Sequence, residues 1–227
     1  MSTVLLDTSR GNMFHLEYFK SFVEGLGFRV EFLDRVSSDF LAKGRLVVIA
    51  GKVFEKYTRN EREVLIRHIK AGHRLFVFVD AESIPYFNSL YEILSDTGII
   101  PTHIRVLSEN NGGVLITRNI NKSHAITMGI DELVFVDPVK FILSHKKASP
   151  IDILVRSEKN HNPPNAVLAC SARFGNGKVV AVSSWKILQE EYLGESDNAL
   201  FVISAMYWLL DMKPPHDLLD KIRQLIG

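Results

Sequence analysis

Two uninterrupted apolar runs, Leu46–Ala50 and Leu75–Val79, constrain this chain most. Each is strand-sized and lacks the polar alternation of a half-exposed strand, so each reads as a strand covered on both faces. Between them, Thr58-Arg59-Asn60-Glu61 has the form of a capping box. The Thr58 hydroxyl can accept from the Glu61 amide while the Glu61 side chain reaches back to the helix start. The spacing predicts a helix over 59–71, stopped by Gly72. A buried strand, a capped helix and a second buried strand make a parallel βαβ unit.

The residues upstream repeat the pattern. Thr3–Leu6 is a short apolar run ending at Asp7, and 8–12 supplies turn and cap chemistry. Met13, Leu16, Phe19, Phe22, Val23 and Leu26 then lay one apolar stripe along a helix that Gly27 ends. Arg29–Leu33 alternates as a strand, and Ser37–Lys43 reads as a short helical connection. After Val79, 80–85 reads as a loop, followed by a helix to about Thr97, with Gly98 as its stop. Successive βαβ units on one sheet predict the strand order 2-1-3-4, the flavodoxin-like arrangement.

Beyond Pro101 the periodicity weakens. Strand-like pieces remain at Val114–Thr117, Val134–Val136, Val139–Leu143 and Ile151–Arg156, and Ser157–Asn165 reads as an exposed loop. Ala166–Ala172 and Lys178–Ser183 flank the turn Phe174-Gly175-Asn176-Gly177, whose Asn-Gly is a strong hairpin signal. A helix over 197–210 with Ser196 as N-cap follows, and Pro214-Pro215 precedes a last amphipathic helix. We expect residues 1–227 to form a single domain, a three-layer α/β sandwich with a mainly parallel sheet and a C-terminal β-hairpin.

Composition removes several function classes. Lys+Arg is 27 against Asp+Glu 26, both signs interspersed, which is not the concentrated basic footprint of a nucleic-acid binder. His145-Lys146-Lys147 is too short to change that. Hydrophobic residues make up 46%, yet no run approaches the roughly 20 apolar residues of a membrane span. The N-terminus lacks a basic n-region, and a single cysteine, Cys170, allows no intrachain disulfide. The expectation is a cytoplasmic chain without membrane insertion.

Three stretches together carry a resemblance: Val4–Phe14; Leu46–Gly51 with Tyr57–Glu61 and His73–Asp80; and Phe174–Trp185 with Glu191-Tyr192-Leu193 and Asp197-Asn198. The chain resembles the class I glutamine-amidotransferase-like domains of uncharacterised prokaryotic proteins, of the N-terminal part of intraflagellar transport protein 52, and of gliding-motility and transporter-associated proteins. The resemblance implies a flavodoxin-like sandwich used for binding or assembly, often without catalysis.

An active member of that superfamily resembles Gly-x-Cys-x-Gly at a strand-to-helix elbow, where glycines let the backbone turn and amides face an oxyanion. The matching stretch here is Val79-Asp80-Ala81-Glu82-Ser83-Ile84-Pro85, with no cysteine and neither glycine. Ser83 reads better as a helix N-cap than as a nucleophile. Where the partner histidine would follow the last strand, the chain has Ser184-Trp185-Lys186. His216, after two prolines, reads as a first-turn residue of the last helix. Cys170 lies mid-strand, where a thiol behaves as a small apolar group. No catalytic residue is assigned.

Metal and nucleotide motifs fail as well. His68 and His73 straddle a helix end and are expected to face different ways, and no His-x₃-His or Cys-x-x-Cys pattern occurs. No metal site and no cofactor are assigned. Gly175-Asn176-Gly177-Lys178 joins two strands rather than a strand and a helix, so it is a hairpin and not a phosphate loop.

One constellation remains. In an open α/β sheet, ligands lie outside the carboxyl ends of the strands. Loops carrying Asp7, Thr8, Ser9, Arg10 and Asn12, then Gly51 and Lys52, then Asp80, Glu82 and Ser83, and finally Ser184, Trp185 and Lys186 should converge there. Asp7, Ser9, Arg10, Asn12, Gly51, Asp80, Ser184 and Trp185 are the ligand-binding candidates, with Arg10 as an anion clamp and Trp185 as a stacking surface. The alternative is that Asp7, Asn12 and Asp80 cap helices and pair with Arg10 or Lys52. Two functions follow: a non-catalytic module for a protein partner or self-association, or a binder or hydrolase of a small anionic ligand at the strand ends.

Overall fold

The computed structural model describes residues 2–10, 16–50, 56–79, 81, 87–144 and 150–227, with the backbone alone over 87–89. In chain order the strands are β1 (Thr3–Asp7), β2 (Arg29–Leu33), β3 (Leu46–Ile49), β4 (Arg74–Phe78), β5 (Ile99–Arg105), β6 (Leu107–Ser108), β7 (Val114–Thr117), β8 (Leu133–Val136), β9 (Val139–Leu143), β10 (Ile151–Arg156), β11 (His161–Asn162), β12 (Val167–Phe174) and β13 (Gly177–Val182). The helices are α1 (Glu17–Gly25), α2 (Ser38–Leu41), α3 (Arg59–Lys70), α4 (Phe87–Ser95), α5 (Glu190–Leu193), α6 (Asn198–Leu209) and α7 (Leu218–Ile226).

The main sheet runs β2-β1-β3-β4-β13-β12-β9-β5, with β10 also paired to β12. Its first five strands are mutually parallel, so the flavodoxin-like order 2-1-3-4 holds and β13 joins it as the fifth parallel strand. Alternate residues of the fully buried strands feed two cores. Leu6, Val48, Phe76, Phe78 and Val180 pack against α1, α6 and α7 on one face. Leu5, Val47, Leu75, Val77 and Val179 pack against α3 and α4 on the other. This makes the three layers, and each buried Val, Leu, Ile or Phe contributes roughly 1.5–3 kcal/mol.

Local chemistry explains the helix limits. Ser37 caps α2 by accepting from Phe40 N–H, and the Thr58–Glu61 capping box is complete on both sides. Gly27, Gly72 and Gly98, the three expected stops, all have positive φ. At Gly72 (φ +117°) the chain makes a Schellman motif: Gly72 N–H donates to Ile69 O at 2.9 Å and His73 N–H to His68 O at 3.3 Å.

That motif overturns one expectation. His68 and His73 do not diverge; their rings stack with centroids 3.7 Å apart and 15° between planes. Gly72 turns the chain back so that the residue after it lies over the last helical turn, the place where a Schellman motif usually sets an apolar contact.

Three further expectations change, and the hairpin turn holds. Pro101 lies inside β5, which is tolerated because β5 is the sheet edge and its register breaks between Pro101 and Arg105. The hairpin turn falls on the expected residues 174–177, with Gly175-Asn176 at its centre and Phe174 paired with Gly177. Gly175 carries the positive φ (+60°), as the first position of a type II′ turn requires. Gly177 is needed for a different reason: a Cβ there would lie 2.1 Å from Ile69 O. Ser196 does not cap α6; Asp197 takes that position, and its carboxylate accepts instead from Asp131 N–H (2.7 Å) and Glu132 N–H (3.1 Å). The 157–165 stretch is not wholly exposed, because Ser157 and His161 are buried and His161-Asn162 pairs with β6.

Candidate functional site

β1 delivers Asp7 to the carboxyl edge of the parallel sheet, where it is 1% exposed. One oxygen accepts Ser9 N–H at 3.0 Å and the other accepts the Tyr57 hydroxyl. Burial pushes the Asp7 carboxyl above its ordinary value, opposed by the bonds from Ser9 and Tyr57 and by the Arg10 charge. Burial, together with the neighbouring Asp7, holds the Tyr57 phenol well above its usual range.

Tyr57 is in this network because it immediately precedes the N-cap of α3. The Arg10 guanidinium lies 4.7 Å from the Tyr57 ring centroid and forms an ion pair with Glu61. Glu61 in turn accepts from Thr58 N–H at 2.7 Å and from its hydroxyl at 2.8 Å. Burial works against the Glu61 charge, but Thr58 and Arg10 outweigh it and hold the carboxyl low. The start of α3 is thereby tied to the end of β1 through four side chains. Sequence reasoning missed Tyr57 and Glu61 as members of this group; the capping box was the available signal for Glu61.

The other described candidates sit where β13 exits. Ser184 is buried; its hydroxyl donates to Val136 O at 2.7 Å and accepts Val136 N–H at 3.2 Å, tying β13 to β8. Trp185 is 2% exposed and belongs to the core beside Ile187 and Leu188. Lys186 pairs with Asp137 at 2.8 Å. Asp7, Ser9 and Arg10 are thus brought together, whereas Ser184 and Trp185 lie three strands away, roughly 14 Å at ordinary strand spacing. Asn12, Gly51 and Asp80, with Lys52, Glu82 and Ser83, lie outside the described residues. Among the described residues, the Ser9 and Ser183 hydroxyl oxygens are buried without a hydrogen-bond partner.

Cys170 points into the core shared with α3 and α4, and burial raises its thiol far above the usual range. The next residue faces the other way. Ser171 Oγ lies 3.4 Å from His124 Nε2, and Asp152 Oδ2 lies 3.9 Å from the same nitrogen. The trio arises because β10 pairs Asp152 with Ser171. It is not arranged as a relay, which needs serine and acid on opposite ring nitrogens. Here His124 Nδ1 accepts Ile126 N–H at 3.1 Å, so the neutral ring carries its proton on Nε2 and cannot take one from Ser171. Burial lowers the His124 proton affinity despite Asp152, keeping the ring neutral. Among the described residues, no group of three or more His, Cys, Asp or Glu side chains could hold a metal ion. No helix among them is long and apolar enough to cross a membrane.

No family model matches the chain, and a search of curated proteins finds no match. Solved structures do match. The mmIFT52 N-terminal domain superposes with a TM-score of 0.77 at 19% identity, covering 94% of this chain and 100% of that one. The cytoplasmic protein STM1381 from Salmonella typhimurium LT2 gives 0.68 at 14% identity, covering 92% and 99%. A ThuA-like protein from Bacteroides uniformis gives 0.62 at 12% identity, covering 91% and 90%. At these identities the likeness is one of fold. By strand order, layering and these superpositions, the chain has a flavodoxin-like three-layer α/β fold.

Proposed function

We propose that residues 1–227 act as one glutamine-amidotransferase-like module that binds a protein partner, or a second copy of itself, and performs no chemistry of its own. The observation that carries this reading is the Asp7–Tyr57–Arg10–Glu61 network. The charged groups that a ligand at the end of β1 would use are engaged with one another. The likeness in fold to the mmIFT52 N-terminal domain, by its name one domain of a larger protein, supports the same reading. A single buried thiol suits a reducing compartment, so we place the chain in the cytoplasm. The test is capture from extract of the native host with the purified chain as bait, alongside size exclusion with light scattering. A stable partner or a defined dimer is expected. A strict monomer that recovers nothing overturns the reading.

A second reading, a small anionic ligand at the strand ends, is favoured by the unpartnered Ser9 and Ser183 hydroxyls. A thermal-shift screen of anionic metabolites separates the two, because a ligand at 100 times its Kd adds about 2.7 kcal/mol. A hit abolished by Ser183→Ala would support this second reading over the first.

A further inference from the structure

The α2–α3 side of the molecule carries a cleft of ≈ 570 Å³. Ala42 and the edge of Val64, over the buried Leu41, supply its apolar lining, and Ser38, Arg67 and the stacked His68 and His73 its polar lining. Cations without a carboxylate partner gather on one side of this cleft. On the opposite flank of α3, Arg59 pairs with Glu63 and Arg62 with Glu92. Around the cleft, Lys43, Arg45, Arg67 and Lys70 have no carboxylate within ion-pair distance among the described residues. The only acid on α2 is Asp39.

Helix electrostatics account for part of this. Arg67 and Lys70 lie in the last turn of α3, where cations suit the negative end of the helix dipole. Lys43 and Arg45 come from the segment between α2 and β3 and have no such role. The imidazoles add a polar edge that is neutral at pH 7. Burial, with the neighbouring ring, lowers His68 to about 4, and burial lowers His73, to which the Arg74 and Arg45 charges contribute. The His68 Nε2 atom is buried without a hydrogen-bond partner among the described residues.

We propose that this cleft docks an acidic segment of a protein partner, with one apolar side chain against Ala42 and the edge of Val64 and its carboxylates on Arg67, Lys43 and Arg45. This rests on the binding-module reading and names the face and the partner chemistry. A small apolar lining bounded by cations that lack a carboxylate partner fits a peptide that alternates acids with an anchor. A phosphate backbone has no use for the apolar lining.

The test uses the full chain and a short fluorescein-labelled peptide of glutamates flanking Leu-Trp-Leu, followed by anisotropy. The same peptide with lysine for glutamate, and oligothymidylate, are the comparisons. Binding is expected for the glutamate peptide alone, with amide-shift changes confined to 38–45 and 64–74. Ala42→Trp fills the cleft and Arg67→Glu reverses its charge; both positions are exposed, so both variants should fold. Each should weaken binding by about tenfold or more. Lys159→Glu, exposed on a different loop, should not. Absence of binding, equal binding of the lysine peptide or the oligonucleotide, or indifference to both cleft variants overturns the proposal. If a partner captured from extract is retained by Ala42→Trp, the cleft assignment falls and the binding-module reading stands. If the wild type captures nothing and is monomeric, the module reading itself falls.

Discussion

The two ends of the parallel sheet are closed by polar knots of opposite character. At the amino end, the Arg74 guanidinium donates to Leu209 O at 2.6 Å, to Asn176 O at 3.3 Å, to Gly72 O, and to Asp211 at 2.7 Å. Lys178 adds Trp208 O at 3.0 Å and the same carboxylate. Burial works against the Asp211 charge, but the two cations outweigh it and hold the carboxyl low. This knot fastens β4, the hairpin tip and the end of α6 in one ionised, well-paired unit. At the carboxyl end, Asp7 is pushed the other way by burial, its hydrogen-bond partner is a phenol rather than a cation, and the hydroxyls of Ser9 beside it and of Ser183, three strands along the same edge, lack partners among the described residues. One end is built to stay charged. At the other, burial disfavours the charge, and so that end answers to pH and to substitution.

The largest effect should come from the amino end. Arg74→Met strands several buried carbonyls and part of Asp211, and should cost about 3–5 kcal/mol in urea denaturation. A loss below that of the carboxyl-end variants would break the contrast. Tyr57→Phe removes one bond from a buried carboxylate and should cost about 1–3 kcal/mol, read the same way. The His68–His73 stack sharpens the comparison through pH. Its folded state holds neutral rings, so the unfolded chain binds more protons below pH 6.5. Stability should therefore fall from pH 6.5 toward about 4, by about 1–2 kcal/mol, and the fall should shrink in His68→Leu. Asp7 gives the smallest and oppositely signed effect. Its folded carboxyl binds protons more tightly than the unfolded one, so its contribution is present below pH 3.8 and fades as pH rises through the folded value. Asp7→Asn should remove that fading, and an unchanged slope would contradict the assignment.

What could be read from the sequence follows the range of the forces involved. Continuous apolar runs announced β3 and β4, and the capping box and the glycines at 27, 72 and 98 marked helix limits, because those signals are local. The edge strand β5 was hidden by Pro101, whose cost vanishes only where no neighbour strand needs its missing N–H. The hairpin turn at 174–177 was legible, but the need for Gly177 was not, since it answers to its close approach to α3 rather than to the turn. Asp7 and Arg10 were marked as site candidates, yet Tyr57, 50 residues from Asp7, reaches it only through the β1–β3–α3 packing. Likewise the Ser171, His124 and Asp152 arrangement depends on the β10–β12 register, which no single segment encodes.

The account turns on whether the β1-end network serves the fold or a ligand. Arg10→Ala, measured in parallel by urea denaturation and by recovery of a partner from extract, decides between them. We predict a loss of about 1–3 kcal/mol with partner recovery unchanged. Unchanged stability together with lost binding would show that Arg10 is held for a ligand and would contradict the account.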